Sequence, residues 1–237
     1  MTRRLRLPWP GPSARDRSDG SGGAAERPVR LLAVSDMTDE ALEREVNRAA
    51  LGPIDAIIGA GDLEPDYLGM LADAFRAPLL YVLGNHDRGL GWRAYEKHLP
   101  QPMPDARVET LKGIDIVGLS WPGRRSGRPE RDEGAAWRQV LRLGLLGGRS
   151  PRPTILVSHV PPEGAGDDPA DPYHRGFGAY RWLARRLKPE LWIHGHTTVA
   201  TQASPMAQLG PTQLLNVTGG VLIELDPPGT VADGAPA

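Results

Sequence analysis

Five short polar blocks carry most of this chain's capacity for chemistry: Ser35-Asp36, Gly61-Asp62, Gly84-Asn85-His86-Asp87, Ser158-His159 and His194-Gly195-His196. Each comes directly after an apolar run, over residues 31–34, 56–58, 79–83, 155–157 and 191–193. Runs of this length, bounded by Gly and polar residues, read as buried strands. Ligands of an α/β sheet bind beyond the strand ends. The blocks therefore predict one rim on which Asp, Asn and His side chains converge. Carboxylate, amide oxygen and imidazole together form a hard-to-borderline ligand set, suited to Mn, Fe, Zn or Mg.

Asp62 follows Gly61 at a strand end, so its carboxylate projects over the rim and has two oxygens with which to bridge ions. Asn85 offers a neutral oxygen, and His159 and His196 offer ring nitrogens. Together these four would complete one metal site from protein alone, leaving positions for water and substrate. His86 neighbours Asn85 and cannot easily point at the same ion. It is better placed to meet a leaving group or a phosphate oxygen. An imidazole with a pKa near about 6.5 donates a proton at neutral pH. Asp87 is the candidate to orient it, with Glu64 and Asp66 as alternatives. His174-Arg175 precedes the last helix and is a cationic pair able to hold a phosphate, weighed against a solvated loop. His194 and Asn216 also stand at strand ends and are weighed as rim residues against a purely structural role.

The elements that must position these residues follow from periodicity. Strands are expected over 30–34, 56–59, 79–83, 154–157, 191–193, 213–217 and 221–225. A hairpin over 107–111 and 114–119 turns at Lys112-Gly113. Helices are expected over 66–75, 135–146, 178–187 and 39–51. The last of these has Thr38 or Asp39 as N-cap and Leu42, Val46 and Ala49 or Ala50 facing inward. Helices alternate with strands early, while hairpins appear in the middle and at the end. That predicts an α/β fold of two mixed β-sheets packed face to face with helices outside. Residues 1–28 are rich in Pro, Gly, Ser and Arg and are expected to form a disordered basic tail. The folded body then spans 29–226, and 227–237 is a second disordered tail.

The 237 residues suffice for one α/β domain with a full core. A net charge of −1 creates no global field for nucleic acid or an acidic membrane. The six Trp are spread along the sequence and suggest no paired stacking platform for single strands. Cysteine is absent, which removes disulfides and thiolate chemistry and fits a reducing, cytoplasmic setting. No apolar run approaches the roughly 20 residues of a membrane helix. Abundant Pro, Gly, Ala and Arg with little Lys suits a GC-rich bacterial genome.

The order and wording of the blocks resemble the calcineurin-like metallophosphoesterases, whose pattern is D-x-H, G-D, G-N-H-D/E, an isolated H, then G-H-x-H. The matching stretches are Asp36-Met37-Thr38, Gly61-Asp62, Gly84-Asn85-His86-Asp87, His159 and Gly195-His196-Thr197-Thr198. The resemblance covers residues 30–226. It implies a four-layer αββα sandwich that hydrolyses a small phosphate mono- or diester, diesters slightly favoured, with a metal-bound hydroxide. It makes Asp62 the bridging ligand, puts Asn85, His159 and His196 on the second ion and Asp36 on the first, and makes His86 the proton donor or phosphate contact. Thr38 and Thr198 stand where the family has two histidines of the first site. Asp39 is a possible replacement ligand. The expectation is one firm divalent ion (Mn, Fe, Mg or Zn) and one that is weak or absent. Two rivals stay open. One is a metal-binding or scaffolding protein that kept the fold and lost catalysis. The other is a nuclease using the basic tail and Arg124, Arg125 and Arg128, against which the near-neutral charge argues.

Overall fold

The computed structural model describes residues 2–9, 27–87, 92, 98–123, 131–146, 152–197 and 205–227. Thr198, Arg124, Arg125, Arg128 and most of both expected tails lie outside them.

One sheet contains β1 (Arg3–Pro8), β2 (Val29–Val34), β3 (Ala56–Gly59), β4 (Leu79–Tyr81) and β11 (Val221–Asp226), in the order β1-β11-β2-β3-β4. The other contains β5 (Val108–Leu111), β6 (Ile114–Leu119), β7 (Thr154–Ser158), β8 (Leu191–His194), β9 (Met206–Leu209) and β10 (Thr212–Asn216), in the order β5-β6-β7-β8-β10-β9. Parallel pairing runs through β2-β3-β4 in one sheet and β6-β7-β8-β10 in the other. Such strands are buried on both faces, which is why they read as unbroken apolar runs.

Side chains alternate across each strand, and the alternation sorts the core into three apolar layers. Leu31, Ala33 and Ile58 meet Ile155, Val157 and Ile193 between the sheets. Leu32, Val34 and Ile57 face the other way, toward α1 (Glu40–Glu43), α2 (Glu45–Leu51) and α3 (Pro65–Phe75). Leu156 and Trp192 pack under α4 (Glu133–Leu146) and α5 (Gly178–Leu187). Three apolar layers make four layers of structure, the expected αββα sandwich. No helix among the described residues is long and apolar enough to cross a membrane.

Four expectations give way. The N-terminal stretch is not wholly a tail: Arg3–Pro8 adds a strand parallel to β11. Its alternation is short but real, with Leu5 and Leu7 turned to the inter-sheet core and Arg4 and Arg6 to solvent. The helix expected over 39–51 is broken at Arg44, whose backbone is extended (φ −92°, ψ 123°). The Asn47 amide and the Arg48 guanidinium donate to the freed carbonyls of Ala41 and Leu42, at 2.9 and 2.6 Å. The break turns Val46 outward, so only Leu42 of the expected inward set is fully buried. β9 carries no marked alternation and was not expected. Trp137 and Trp182 do pair, with ring centroids 5.6 Å apart, but tilted at 55° within the α4–α5 packing.

Candidate metal centre

β2, β3, β4, β7 and β8 all run toward one rim, and each delivers one polar block there. Asp36, Asp62 and His196 have φ of 60°, 56° and 67°. Left-handed backbone is uncommon outside Gly, and Asp and His are among the residues that tolerate it. These turns fold the side chains back over the strand ends. Two glycines let the blocks touch. A Cβ on Gly195 would lie 2.0 Å from Ser35 Oγ and 2.2 Å from Asp36 Oδ2, and one on Gly84 would lie 2.2 Å from Asp62 Oδ1.

The centre of the rim is a cluster of Asp62, His159 and His196. His159 Nε2 is 3.1 Å from Asp62 Oδ2 and 3.1 Å from His196 Nδ1. The outer nitrogens face carbonyls: His159 Nδ1 meets Ala60 O at 2.9 Å, and His196 Nε2 meets Tyr173 O at 2.9 Å. A ring nitrogen against a carbonyl carries the hydrogen, so each neutral ring points a lone pair inward. The space between those nitrogens and the carboxylate suits a proton or a metal ion.

The electrostatics favour a proton on His159. Burial alone would strip the proton from His159, but the Asp62 carboxylate outweighs it and holds the ring protonated up to about 9. Burial lifts Asp62, yet the charge of His159 brings its carboxyl below the usual range. Burial, joined by the charge on His159, drives His196 down to about 3. Asn85 lies in the block that follows β4, the neighbour of β3. It is buried, its Nδ2 donates to the Tyr173 hydroxyl at 2.7 Å, and its Oδ1 has no hydrogen-bond partner among the described residues. An unmet buried acceptor costs about 1–3 kcal/mol, and a cation beside it would remove that cost. Two imidazole nitrogens, a carboxylate and an amide oxygen fit a borderline divalent ion.

The first half of the expected two-ion site is built differently. Asp36 Oδ2 accepts from Ser35 Oγ at 2.6 Å, the His196 N–H at 3.0 Å and Thr218 Oγ1 at 3.2 Å. Asp39 is turned away from the centre. Its Oδ1 accepts from the Ala41 N–H at 3.0 Å, capping α1, and its Oδ2 accepts from the Thr2 hydroxyl at 2.7 Å. Thr38 lines an open cleft of about 520 Å³ beside Asp36, Glu40, Asp62, Glu64 and His86.

His86 is exposed on that cleft, and its backbone N–H donates to Asp62 Oδ1 at 2.7 Å. Its ring Nε2 meets the Tyr173 hydroxyl at 2.9 Å. Asp87 does not orient this ring. Its carboxylate accepts the N–H groups of Gly84 at 2.7 Å, Asp62 at 2.8 Å and Leu63 at 3.2 Å, tying two blocks together. Burial and the charge of Asp62 push Asp87 up to about 6. His174 packs against the His196 ring with centroids 5.2 Å apart, while its Nδ1 pairs with Asp171 at 2.6 Å. Arg175 reaches Glu163 at 3.9 Å. His194 is buried and kept neutral, its pKa lowered to about 4 by burial. Asn216 Nδ2 holds the Thr197 carbonyl at 2.7 Å. Sequence reasoning missed Tyr173, which sits in an irregular loop with no periodic signal.

Comparison with known proteins fits this geometry. One solved structure, 15% identical, aligns over 83% of this chain and 95% of its own with a TM-score of 0.60. A protein of Thermus thermophilus, 18% identical, aligns over 81% of this chain and 90% of its own with a TM-score of 0.55. At these identities the likeness is one of fold. No curated protein matches the sequence. The model of the calcineurin-like phosphoesterase family matches residues 29–200, which hold all five polar blocks, and the chain belongs to that family.

Proposed function

We propose that the protein hydrolyses a small phosphate mono- or diester, diesters favoured, with one firmly held divalent ion (Mn, Fe, Mg or Zn). The observation that carries this reading is the convergence of Asp62, His159 and His196, with His159 Nε2 3.1 Å from Asp62 Oδ2 and from His196 Nδ1, and with the buried Asn85 Oδ1 without a partner among the described residues. An ion held by Asp62, Asn85, His159 and His196 would polarise a phosphoryl oxygen and supply a water of lowered pKa for in-line attack. His86, exposed on the cleft, donates a proton to the leaving oxygen. Asp87 acts at one remove, by fixing the backbone that carries Asp62 and His86. His174 borders the site while Arg175 is paired with Glu163, so a phosphate contact falls to His174 before Arg175. A first ion would find Asp36 already engaged by three protein donors and Asp39 engaged as a cap, which supports a one-ion enzyme.

The test is hydrolysis of bis- and mono-(p-nitrophenyl) phosphate with Mn, Mg, Fe and Zn. At least one ion should raise the rate well above that of a His86→Ala, Asp62→Ala double variant; no difference with any ion removes the enzyme reading. The hydrogen-bonded Asp36 also favours a second reading, a fold that binds one ion without turnover, which calorimetric titration alongside the assay separates. The four carboxylates of the cleft, on Asp36, Glu40, Asp62 and Glu64, repel a polyanion and argue against a nuclease. The absence of cysteine supports a cytoplasmic setting.

A further inference from the structure

Tyr173 belongs to none of the five polar blocks, yet it touches three residues in them. Its hydroxyl meets Asn85 Nδ2 at 2.7 Å and His86 Nε2 at 2.9 Å, and its carbonyl meets His196 Nε2 at 2.9 Å. The loop that presents it is pinned from within. The Tyr173 N–H donates to Asp171 Oδ1 at 2.9 Å, the His174 N–H to the Asp171 carbonyl at 3.0 Å, and the Gly176 N–H to Asp167 Oδ2 at 2.9 Å.

The amide nitrogen of Asn85 only donates, so the Tyr173 oxygen accepts there. A protonated His86, the form able to give up a proton, donates its Nε2–H to the same oxygen. An amide is planar, with nitrogen and oxygen at opposite corners. Fixing Nδ2 on Tyr173 therefore fixes the direction of Oδ1, the buried oxygen without a partner. The same hydroxyl fixes the rotation of the His86 ring.

We infer that Tyr173 is a positioning residue, whose hydroxyl sets the Asn85 amide oxygen for the ion and the His86 ring for the leaving group at the same time. The inference rests on the phosphoesterase reading above. It predicts that one oxygen atom couples ion affinity to the handling of the leaving group.

Tyr173→Phe removes that oxygen alone. It keeps the ring and the carbonyl that faces His196, and the side chain is 43% exposed, so the core is untouched. Two measurements test the inference on the full chain: calorimetric titration with Mn(II), and kcat on bis(p-nitrophenyl) phosphate against diphenyl phosphate. Loss of an outer partner of a metal ligand weakens binding by about tenfold or more, and that is the loss expected here for Mn(II). A p-nitrophenolate leaves without a proton, whereas phenolate is a stronger base and needs one more. The variant should therefore lose more kcat on the phenyl ester. A general loosening of the loop would lower both rates alike. Either an unchanged Mn(II) affinity or an equal loss on the two esters overturns the inference. Wild-type protein that binds no Mn(II) and cleaves neither ester sinks the phosphoesterase reading itself, and the inference with it.

Discussion

A single proton describes the ion-free centre. His159 stays charged up to about 9 because Asp62 lies 3.1 Å from its Nε2, and that nitrogen is the one an ion would take. Ligation needs the neutral ring. Below pH 9, ion uptake must therefore expel a proton, and affinity should climb with pH until the ring deprotonates by itself. Calorimetry in two buffers of different ionisation heat at pH 7 should show close to one proton released per Mn(II) ion; release near zero would contradict the assigned geometry. The same shift has a stability sign. A raised imidazole contributes stability that is fully present below the unfolded value near about 6.5 and is lost as pH rises through about 9 in ion-free protein. The ligand types were legible in the sequence, because each block follows a strand and its side chains have nowhere to project but the rim. Their protonation was not, because it turns on how deeply each ring is buried and how close it lies to a charged neighbour, Asp62 for His159 and His159 for His196, which only the packing sets.

Among elements, the N-terminal strand changes the picture most. β1 covers the edge of β11, an edge that would otherwise expose a row of unpaired backbone groups. It buries Leu7 and Trp9 and half-buries Leu5. It also reaches the rim, since Arg3 Nη2 donates to the carbonyls of Asn216 at 3.2 Å and Thr218 at 2.8 Å, and Thr2 engages Asp39. Removing residues 1–9 should destabilise the protein by about 2–4 kcal/mol, the burial term less the ordering entropy of the strand. Thermal unfolding would show it as a lower Tm and a greater tendency to aggregate, and an unshifted Tm would mean the strand is dispensable. This element was hard to read because four Arg and Pro residues surround only two alternating Leu. The break at Arg44 was equally hidden, as Asn47 and Arg48 cap it from the next turn and leave the helical spacing intact.

At the scale of the molecule, one ion-pair network joins the two sheets at the end away from the rim. Asp55 enters β3, and its carboxylate meets Arg27 at 2.6 Å and Lys112, in the hairpin turn of the other sheet, at 2.8 Å. It also accepts the Arg30 N–H at 2.9 Å. Burial lifts the Asp55 carboxyl, but these partners outweigh burial and bring it below its ordinary value. A depressed carboxyl contributes stability that is present above its unfolded pKa near about 3.9 and is lost as pH falls through the lower folded value. Both cations are about half exposed, so solvent screening limits the effect of Asp55→Asn at pH 7 to about 1–2 kcal/mol. Urea midpoints should differ between wild type and variant at pH 7 and converge once acid protonates Asp55 in the folded protein; a gap that persists in acid would assign the effect to packing.

The layers and the candidate ligand types were legible in the order of residues along the chain. Alternation along a buried strand assigns each residue to one face or the other, and a strand end has one direction in which to deliver a polar side chain. The tertiary structure alone decided which ligands converge. Asp36 and Asp39 carry the same carboxylate as Asp62, yet one lies among the hydroxyls of Ser35 and Thr218 and the His196 N–H and the other caps a helix, while Asp62 faces the imidazole of His159. The hydroxyl that orients Asn85 and His86 comes from Tyr173, nearly ninety residues further along the chain. Hydrogen-bond direction depends on placement to within a fraction of an ångström, and that placement comes from loops whose sequence has no period to read.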